Sequence, residues 1–116
     1  MSRHYTRRLD DVIVACAVIQ DAERLLDDAV ASGDPAADAV GFSAIAYQLI
    51  VIGEAIRDLP QELLRRRPEV QWSEAAAMRN VLTHEYFRVD PQVVHRTLDG
   101  PLETLLVACR ALRGPQ

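Results

Sequence analysis

The 116-residue sequence contains no lysine, so all thirteen of its basic side chains are arginine. Each cation can therefore present a planar set of N–H donors to a phosphate or a carboxylate, which the compact ammonium group of lysine cannot do. The net charge of −4 excludes the broad basic surface that is typical of general nucleic-acid-binding proteins. A small, local cationic site remains compatible with this charge.

Aromatic residues are scarce as well, at 5% of the chain, whereas 49% of the residues are apolar. A core built from so few rings must be aliphatic and rich in alanine, which favours closely packed helices over a β-sandwich. The length is typical of one domain, and the apolar content is sufficient for a core without disulfides or metals. We therefore expect residues 1–116 to form a single all-α domain.

Cysteine is rare, and long hydrophobic runs are lacking. Cys16 and Cys109 are far apart and form no Cys-x-x-Cys motif, so we expect buried thiols in a reducing cytoplasm. No apolar run approaches the ~20 residues of a membrane span, and none follows the N-terminal charges in the manner of a signal peptide. No His or carboxylate pattern repeats at metal-ligand spacing. The sequence predicts a cytoplasmic protein without a membrane anchor, metal or cofactor.

Apolar residues at helical spacing predict a first helix from Arg3 to Ala31 and a second from Ala36 to Leu59, separated by the turn sequence SGDP. The second helix is apolar around most of its circumference. We therefore expect it to be central, or to be shared between the core and a dimer contact. Because glycine costs ~1 kcal/mol inside a helix, Gly41 and Gly53 predict close approach of a neighbouring backbone.

A short helix is predicted between Pro60 and Pro68. It ends in three arginines, residues 65–67, which form either a solvated helix end or a rim that faces phosphate. A fourth helix should follow, with Ser73 as its N-cap, and continue through the sequence EAAAMRNVLTHEYF. Trp72 is expected to anchor its start to the core.

The last helix is predicted to have Asp90 as its N-cap and Pro91 in its first position, and to run to Leu112. Gly100 and Pro101 should kink or split it. The predicted fold is an all-α bundle of four main helices plus one short helix.

The sequence MRNVLTHEYF, residues 78–87, contains an unusual group of polar side chains for a chain rich in alanine and leucine. In a continuous helix, Arg79, Thr83 and Tyr86 lie on one side, with Asn80 and His84 on an adjacent strip. Periodicity alone leaves two interpretations open. The group is either the polar face of an ordinary surface helix or a site that binds a charged substrate.

These side chains suit a phosphodiester. Arginine can hold phosphate through two parallel hydrogen bonds, and histidine can take a proton from a ribose 2′-hydroxyl or return one to the leaving oxygen. Asparagine can orient the phosphate or the imidazole, and tyrosine can donate to phosphate or stack on a base. One histidine is few for acid–base cleavage, which usually uses two proton-transfer groups. A symmetric dimer would supply a second copy of Arg79 and His84 to the same cleft.

The segment RNVLTHEY matches the Arg-x-x-x-x-His-x-Tyr signature of the HEPN superfamily, in the form carried by HepT-like toxins. The segment IGEAIRDLP at residues 52–60, the tryptophan before MRN, and HEYFRVD leading into a last helix are also similar to the HepT pattern. The resemblance covers nearly the whole chain.

This resemblance implies a helical homodimer of the HEPN type with the motif at the dimer cleft. It implies a metal-independent endoribonuclease, the toxin of a type VII-like toxin–antitoxin system. The implied antitoxin is an MntA-like nucleotidyltransferase that transfers AMP from ATP onto the motif tyrosine. Carried over residue by residue, Arg79 and His84 are catalytic, Asn80 supports the site, and Tyr86 lines the site and is the AMPylation target.

Two alternatives stay open at the level of sequence. Glu54, in the GEA segment, is either a buried or capping structural carboxylate or a group of the cleft. The domain could also be a non-catalytic binding module for a nucleotidyltransferase partner or a nucleotide, since an acidic chain attracts RNA poorly at a distance. Tyr47 is expected to pack on the second helix, and His4 and His95 are expected to be solvated.

Overall fold

A computed structural model describes the backbone of residues 2–115; within that range, the side chains of residues 87, 91–93, 95–97 and 99 lie outside the description. Residues 2–115 contain helices and turns but no strand, which confirms the all-α prediction. The helices are α1 (Arg3–Ala31), α2 (Ala37–Arg57), α3 (Gln61–Leu64), α4 (Trp72–His84) and α5 (Pro91–Arg113). A 3₁₀ turn, Tyr86–Arg88, joins α4 to α5.

The first helix has the predicted bounds because both of its ends carry clear signals. The Ser2 hydroxyl oxygen accepts a hydrogen bond from the Tyr5 N–H at 3.3 Å and so caps the N-terminus. The C-terminus runs into the SGDP turn, where Gly33 has a φ of 78° that side chains other than glycine rarely adopt. Its fully buried stripe comprises Leu9, Val12, Cys16 and Ile19. This stripe packs α1 against both α2 and α5.

The second helix is central, as predicted, since it packs against α1 on one side and α4 on another. A Cβ atom at Gly53 would lie 2.5 Å from Cβ of Arg79 and 3.3 Å from the carbonyl oxygen of Ala76, so the predicted close approach of a neighbouring backbone is confirmed there. At Gly41 the prediction of a backbone neighbour is wrong. The nearest atoms belong to the side chain of Leu26, with Cδ1 at 2.9 Å.

By length and composition, α2 could also cross a membrane, contrary to the expectation that no segment approaches a span. Half of its most apolar stretch is buried inside the protein. The core helix of a bundle passes the same test of length and composition, so this property is weak evidence for a span.

The predicted fourth helix starts earlier than its sequence signal indicated. α4 begins at Trp72, with Gln71 as the preceding cap residue, so the prediction that Ser73 is the N-cap is wrong. The indole of Trp72 is partly buried against the core and donates its Nε1–H to the carbonyl oxygen of Arg67 at 3.0 Å. This anchor fixes the first turn one residue ahead of Ser73, and it confirms the anchoring role expected of the tryptophan.

The last helix is continuous from Pro91 to Arg113, so of the two effects predicted for Gly100 and Pro101, a kink or a split, the split does not occur. Proline has no N–H and removes one hydrogen bond of the helix, but the buried side chains on both sides of it hold the helix to the core. These side chains are Val94, Leu98, Leu102, Leu105 and Leu106. Pro91 is the first helical residue, as predicted, while the expectation for His95 falls outside the described side chains.

Both cysteines are free and buried between α1 and α5. Burial raises the pKa of the Cys16 thiol to about 12, with the nearby Glu103 carboxylate acting in the same direction and Arg110 acting against it. Burial likewise raises the pKa of the Cys109 thiol to about 12, helped by Cys16. The two thiols therefore stay protonated and behave as small apolar side chains, in line with the prediction.

An apolar groove of about 450 Å³ opens between α2, α4 and α5. Its walls include Leu49, Met78 and Leu105. Neither Arg79 nor His84 lines it, so the polar group of α4 faces a different part of the surface.

Candidate active site

The fourth helix packs one face on α2 and exposes the opposite face. Within its 13 residues, Leu82 is the buried side chain, and Gly53 of α2 lets the two backbones approach closely. The outward face of α4 therefore carries exposed residues at helical spacing, namely Ser73, Ala77, Asn80, Val81 and His84. This outward face leaves room for a ligand or another chain.

The guanidinium of Arg79 is held on two sides. Its Nε lies 2.5 Å from Oε1 of Glu54 on α2, and its Nη1 donates a hydrogen bond to Oδ1 of Asn80 at 3.0 Å. The Nε–H is not directed at the carboxylate, so the first contact is an ion pair rather than an aligned hydrogen bond. The Arg79 side chain is 28% exposed, which places the charge at the edge of the protein with its stem packed against α2.

Glu54 lies beside the predicted arginine and is neither buried nor a helix cap. Its side chain is 53% exposed, and the ion pair with Arg79 joins α2 to α4. Of the two alternatives for this carboxylate, the geometry matches a position at the polar site.

His84 is the last residue of α4 and is exposed. Among the described residues, none forms a hydrogen bond or ion pair with its ring. It lies on the same strip as Asn80, one turn further along the helix. Relative to Arg79 it is about 7.5 Å further along the axis and about 140° around it. One helix therefore presents the arginine and the histidine in different directions.

Tyr86 does not lie on α4, so the prediction that the helix continues through residues 86 and 87 is wrong. The helix ends at His84, because Glu85 adopts a non-helical backbone with φ of −129°. The Tyr86 ring instead packs on Phe42 of α2, with ring centroids 5.4 Å apart. Its hydroxyl lies 3.3 Å from the hydroxyl oxygen of Ser43. This packing on α2 stabilises the break in the helix after His84, which the periodicity of the sequence does not predict.

Sequence reasoning also missed Ser43 as a neighbour of the motif. Ser43 precedes Tyr86 by 43 positions, and a single serine on a long apolar helix gives no signal of such a contact. Only the path of the chain after His84 brings the two hydroxyls together.

An exposed, largely apolar face of α2 lies on the same part of the surface as Glu54. Its residues Val40, Ala44, Tyr47 and Glu54 follow at helical spacing and are all exposed. Tyr47 is 64% exposed, so most of its side chain is open to solvent. The exposed ends of Tyr47 and Val40 leave this face of α2 without cover from the described part of the chain.

Metal ligation has no support in the described side chains, where no three His, Cys, Asp or Glu groups come together. What the site offers is a cation held by a carboxylate and an amide, an exposed imidazole, and a phenol near the same helix end. Such a set can bind an anion and transfer protons.

The comparisons with known proteins agree with this chemistry. The family described as "Ribonuclease HepT-like" matches residues 7–112. The chain is 31% identical over 105 residues to "Probable ribonuclease HepT" of Thermococcus cleftensis, which covers 90% of this chain and 92% of that protein. It is 34% identical over 83 residues to a protein of Caldanaerobacter subterraneus named as a "Putative RNase", covering 70% and 74% of the two chains.

No solved structure matches the chain significantly. The match of the family model to nearly all of the sequence, together with the helical fold, establishes the relationship. The chain belongs to the HepT-like ribonuclease family of the HEPN superfamily.

Proposed function

We propose that the protein is a metal-independent endoribonuclease, the toxin of a type VII-like toxin–antitoxin pair, and that it acts in the cytoplasm. The observation that carries this proposal is the guanidinium of Arg79, held by Glu54 and Asn80, on the same helix as the exposed imidazole of His84 in a HepT-like ribonuclease fold. The RNase names of its relatives support the same class of reaction.

In the proposed reaction, the imidazole of His84 takes the proton from a ribose 2′-hydroxyl. The 2′-oxygen attacks the adjacent phosphorus, and the bond from phosphorus to the 5′-oxygen breaks. A second, protonated imidazole gives its proton to the leaving 5′-oxygen. Arg79 holds the phosphate and offsets the charge that builds on its oxygens in the transition state.

A homodimer would supply the second imidazole. Within one chain, Arg79 and His84 point about 140° apart, so a single α4 does not converge on one phosphate. The outward face of α4 carries the small and apolar side chains of Ala77 and Val81, which would allow a second copy of the helix to pack closely against it. The uncovered face of α2 adds apolar area beside it.

Tyr86 is the proposed site of regulation by a nucleotidyltransferase antitoxin. In that step the phenol oxygen attacks the α-phosphorus of ATP, and pyrophosphate leaves. The attached AMP would place bulk and negative charge where substrate phosphate must bind. Tyr86 is exposed to 36%, and its hydroxyl is at the surface beside Ser43, so the acceptor oxygen is accessible without unfolding.

Replacing Tyr86 with Phe keeps the ring that packs on Phe42 and removes the acceptor oxygen. The variant should still cleave RNA, because Arg79 and His84 are unchanged, but should gain no AMP when incubated with ATP and the neighbouring nucleotidyltransferase. Intact-protein mass spectrometry reports the adduct. An adduct of unchanged yield on Tyr86→Phe would place the modification on another residue.

The ribonuclease proposal is tested by incubating the purified protein with single-stranded RNA in the presence and absence of EDTA. Cleavage should persist in EDTA and should be abolished by Arg79→Ala and by His84→Ala, while circular dichroism shows both variants to be folded. A folded wild-type protein that binds RNA or nucleotide but cleaves no RNA would instead identify a binding module. Cleavage that both variants retain would place the active site elsewhere.

A further inference from the structure

We infer that Glu54 is a positioning residue for Arg79, whose carboxylate sets the edge of the guanidinium that meets the substrate phosphate. The inference rests on the proposed ribonuclease activity and adds a residue on a second helix to its site. Glu54 itself need not touch the RNA. It acts through the arginine.

The contacts restrain the guanidinium from two directions. Glu54 reaches Nε from α2, at 2.5 Å, and Asn80 accepts from Nη1 on α4 itself, at 3.0 Å. An arginine side chain has several rotatable bonds and loses rotamer entropy when it is fixed. When these contacts fix the Arg79 side chain before RNA binds, the loss of rotamer entropy does not weaken RNA binding. The remaining N–H groups then form the edge that a phosphate can take in a bidentate manner.

The burial of Nε of Arg79 explains why the Glu54 carboxylate lies next to it. Nε of Arg79 is shielded from solvent, whereas the side chain as a whole is partly exposed. A charged group with a nitrogen removed from water needs a compensating partner. Glu54 supplies the negative charge at that inner nitrogen, so the outer part of the guanidinium is left to face solvent.

The backbone is built to bring the two side chains together. Gly53 immediately precedes Glu54, and a Cβ atom in its place would lie 2.5 Å from Cβ of Arg79. Glycine thus allows α2 and α4 to approach until the carboxylate of one helix reaches the guanidinium of the other. Gly53 permits the close approach of the two helices, and the next residue, Glu54, forms the ion pair.

A second arginine–carboxylate pair in the same chain provides a matched control. Nε of Arg113 donates to Oδ1 of Asp10 at 2.8 Å and joins α5 to α1. The exposures of the two pairs are similar, at 19% and 47% for Arg113 and Asp10 against 28% and 53% for Arg79 and Glu54. If ion pairs of this kind serve stability alone, breaking either one should have the same consequence.

The experiment compares Glu54→Gln with Asp10→Asn. Both changes remove one negative charge and keep the shape of the side chain. Melting temperatures should fall by similar, small amounts. The value of kcat/KM for an RNA that the wild type cleaves should fall about tenfold in Glu54→Gln, because a misplaced catalytic group is costly, and should change less than about twofold in Asp10→Asn. Glu54→Asp, which keeps the charge, should retain part of the activity that Glu54→Gln loses.

A second measurement separates action through Arg79 from a general effect. Lysine has no planar guanidinium whose free edge the carboxylate could set. In an Arg79→Lys chain, adding Glu54→Gln should therefore lower the remaining rate by less than about twofold. Glu54→Gln with wild-type or higher activity overturns the inference, as does an equal loss in Asp10→Asn. Such results leave the ribonuclease proposal intact, which fails separately if Arg79→Ala still cleaves RNA.

Discussion

Gly53 determines how closely Arg79 approaches α2, and with it the geometry of the site. Its missing Cβ leaves the space that Cβ of Arg79 occupies. Glycine in a helix interior lowers stability by about 1 kcal/mol relative to alanine, so the close contact between α2 and α4 must outweigh that cost. The absence of a Cβ at Gly53 thus links a packing contact to the position of Arg79, the proposed phosphate-binding side chain.

Gly53→Ala should therefore lower both the melting temperature and RNA cleavage. Two Cβ atoms at 2.5 Å cannot separate by rotation, so α4 must shift, and overpacking of this kind costs roughly 1–3 kcal/mol. Gly41→Ala is the matched control on the same helix, since its closest neighbours are the terminal methyl groups of Leu26, which can rotate away. Thermal unfolding and an RNA cleavage assay measure the two effects. Equal behaviour of the two variants would contradict the account.

Sequence alone could predict the motif residues but not all of their positions. Arg79, Asn80 and His84 lie within one helix, where spacing and local geometry determine their relation. The place of Tyr86 depends on packing against Phe42 and Ser43, more than forty residues away in sequence. Glu54 was a candidate from sequence, but its contact with Arg79 depends on how α2 and α4 cross.

At the scale of elements, α4 buries one face on α2 and leaves the opposite face exposed. It packs on α2 through Leu82 and Gly53, while Ala77, Asn80, Val81 and His84 face outward. The helices themselves were predictable from apolar periodicity, and the bounds of α1 matched because caps and turn signals agree there. The ends of α4 were mispredicted and α5 is not split, since Trp72, Tyr86 and the leucines around Pro101 follow tertiary contacts rather than local preference.

Ala77→Arg tests whether the outward face of α4 pairs with a second copy. Arginine is a good helix former, so the fold should persist, but a long cation on each protomer would keep two such helices apart. The variant should be monomeric and inactive on RNA although it adds a positive charge near the site. Sedimentation or light scattering gives the mass, and Ala17→Arg, on the exposed face of α1, is the control. A dimeric, active Ala77→Arg protein would exclude this face as the interface.

At the scale of the whole molecule, the proposed function requires an acidic chain to bind an acidic substrate. The net charge of −4 provides no broad attraction for RNA, so binding must depend on a few local cations. Arg79 is one such cation, and pairing two protomers would place two of them in one cleft. Two phosphate contacts predict a weak dependence on salt, with a slope of about −1.4 in log affinity against log salt for a single strand.

The composition indicated the fold class at this scale, because a chain poor in aromatics and rich in aliphatic residues packs best as helices. The arrangement of the two protomers in the proposed homodimer does not follow from composition, since it depends on surfaces that one copy leaves uncovered. For the proposed homodimer, the candidate surfaces are the face of α2 around Tyr47 and the outward face of α4, both of which are exposed.

The most direct test of the central claim is the chemistry of the RNA ends. Attack by a 2′-oxygen, without metal, leaves a 2′,3′-cyclic phosphate on one fragment and a 5′-hydroxyl on the other. Mass spectrometry of an RNA oligonucleotide cleaved in EDTA should show these ends, and a single 2′-deoxy substitution at the cleaved position should prevent cleavage there. Fragments with 3′-hydroxyl and 5′-phosphate ends, formed only when a divalent metal is added and undiminished by His84→Ala, would contradict the account.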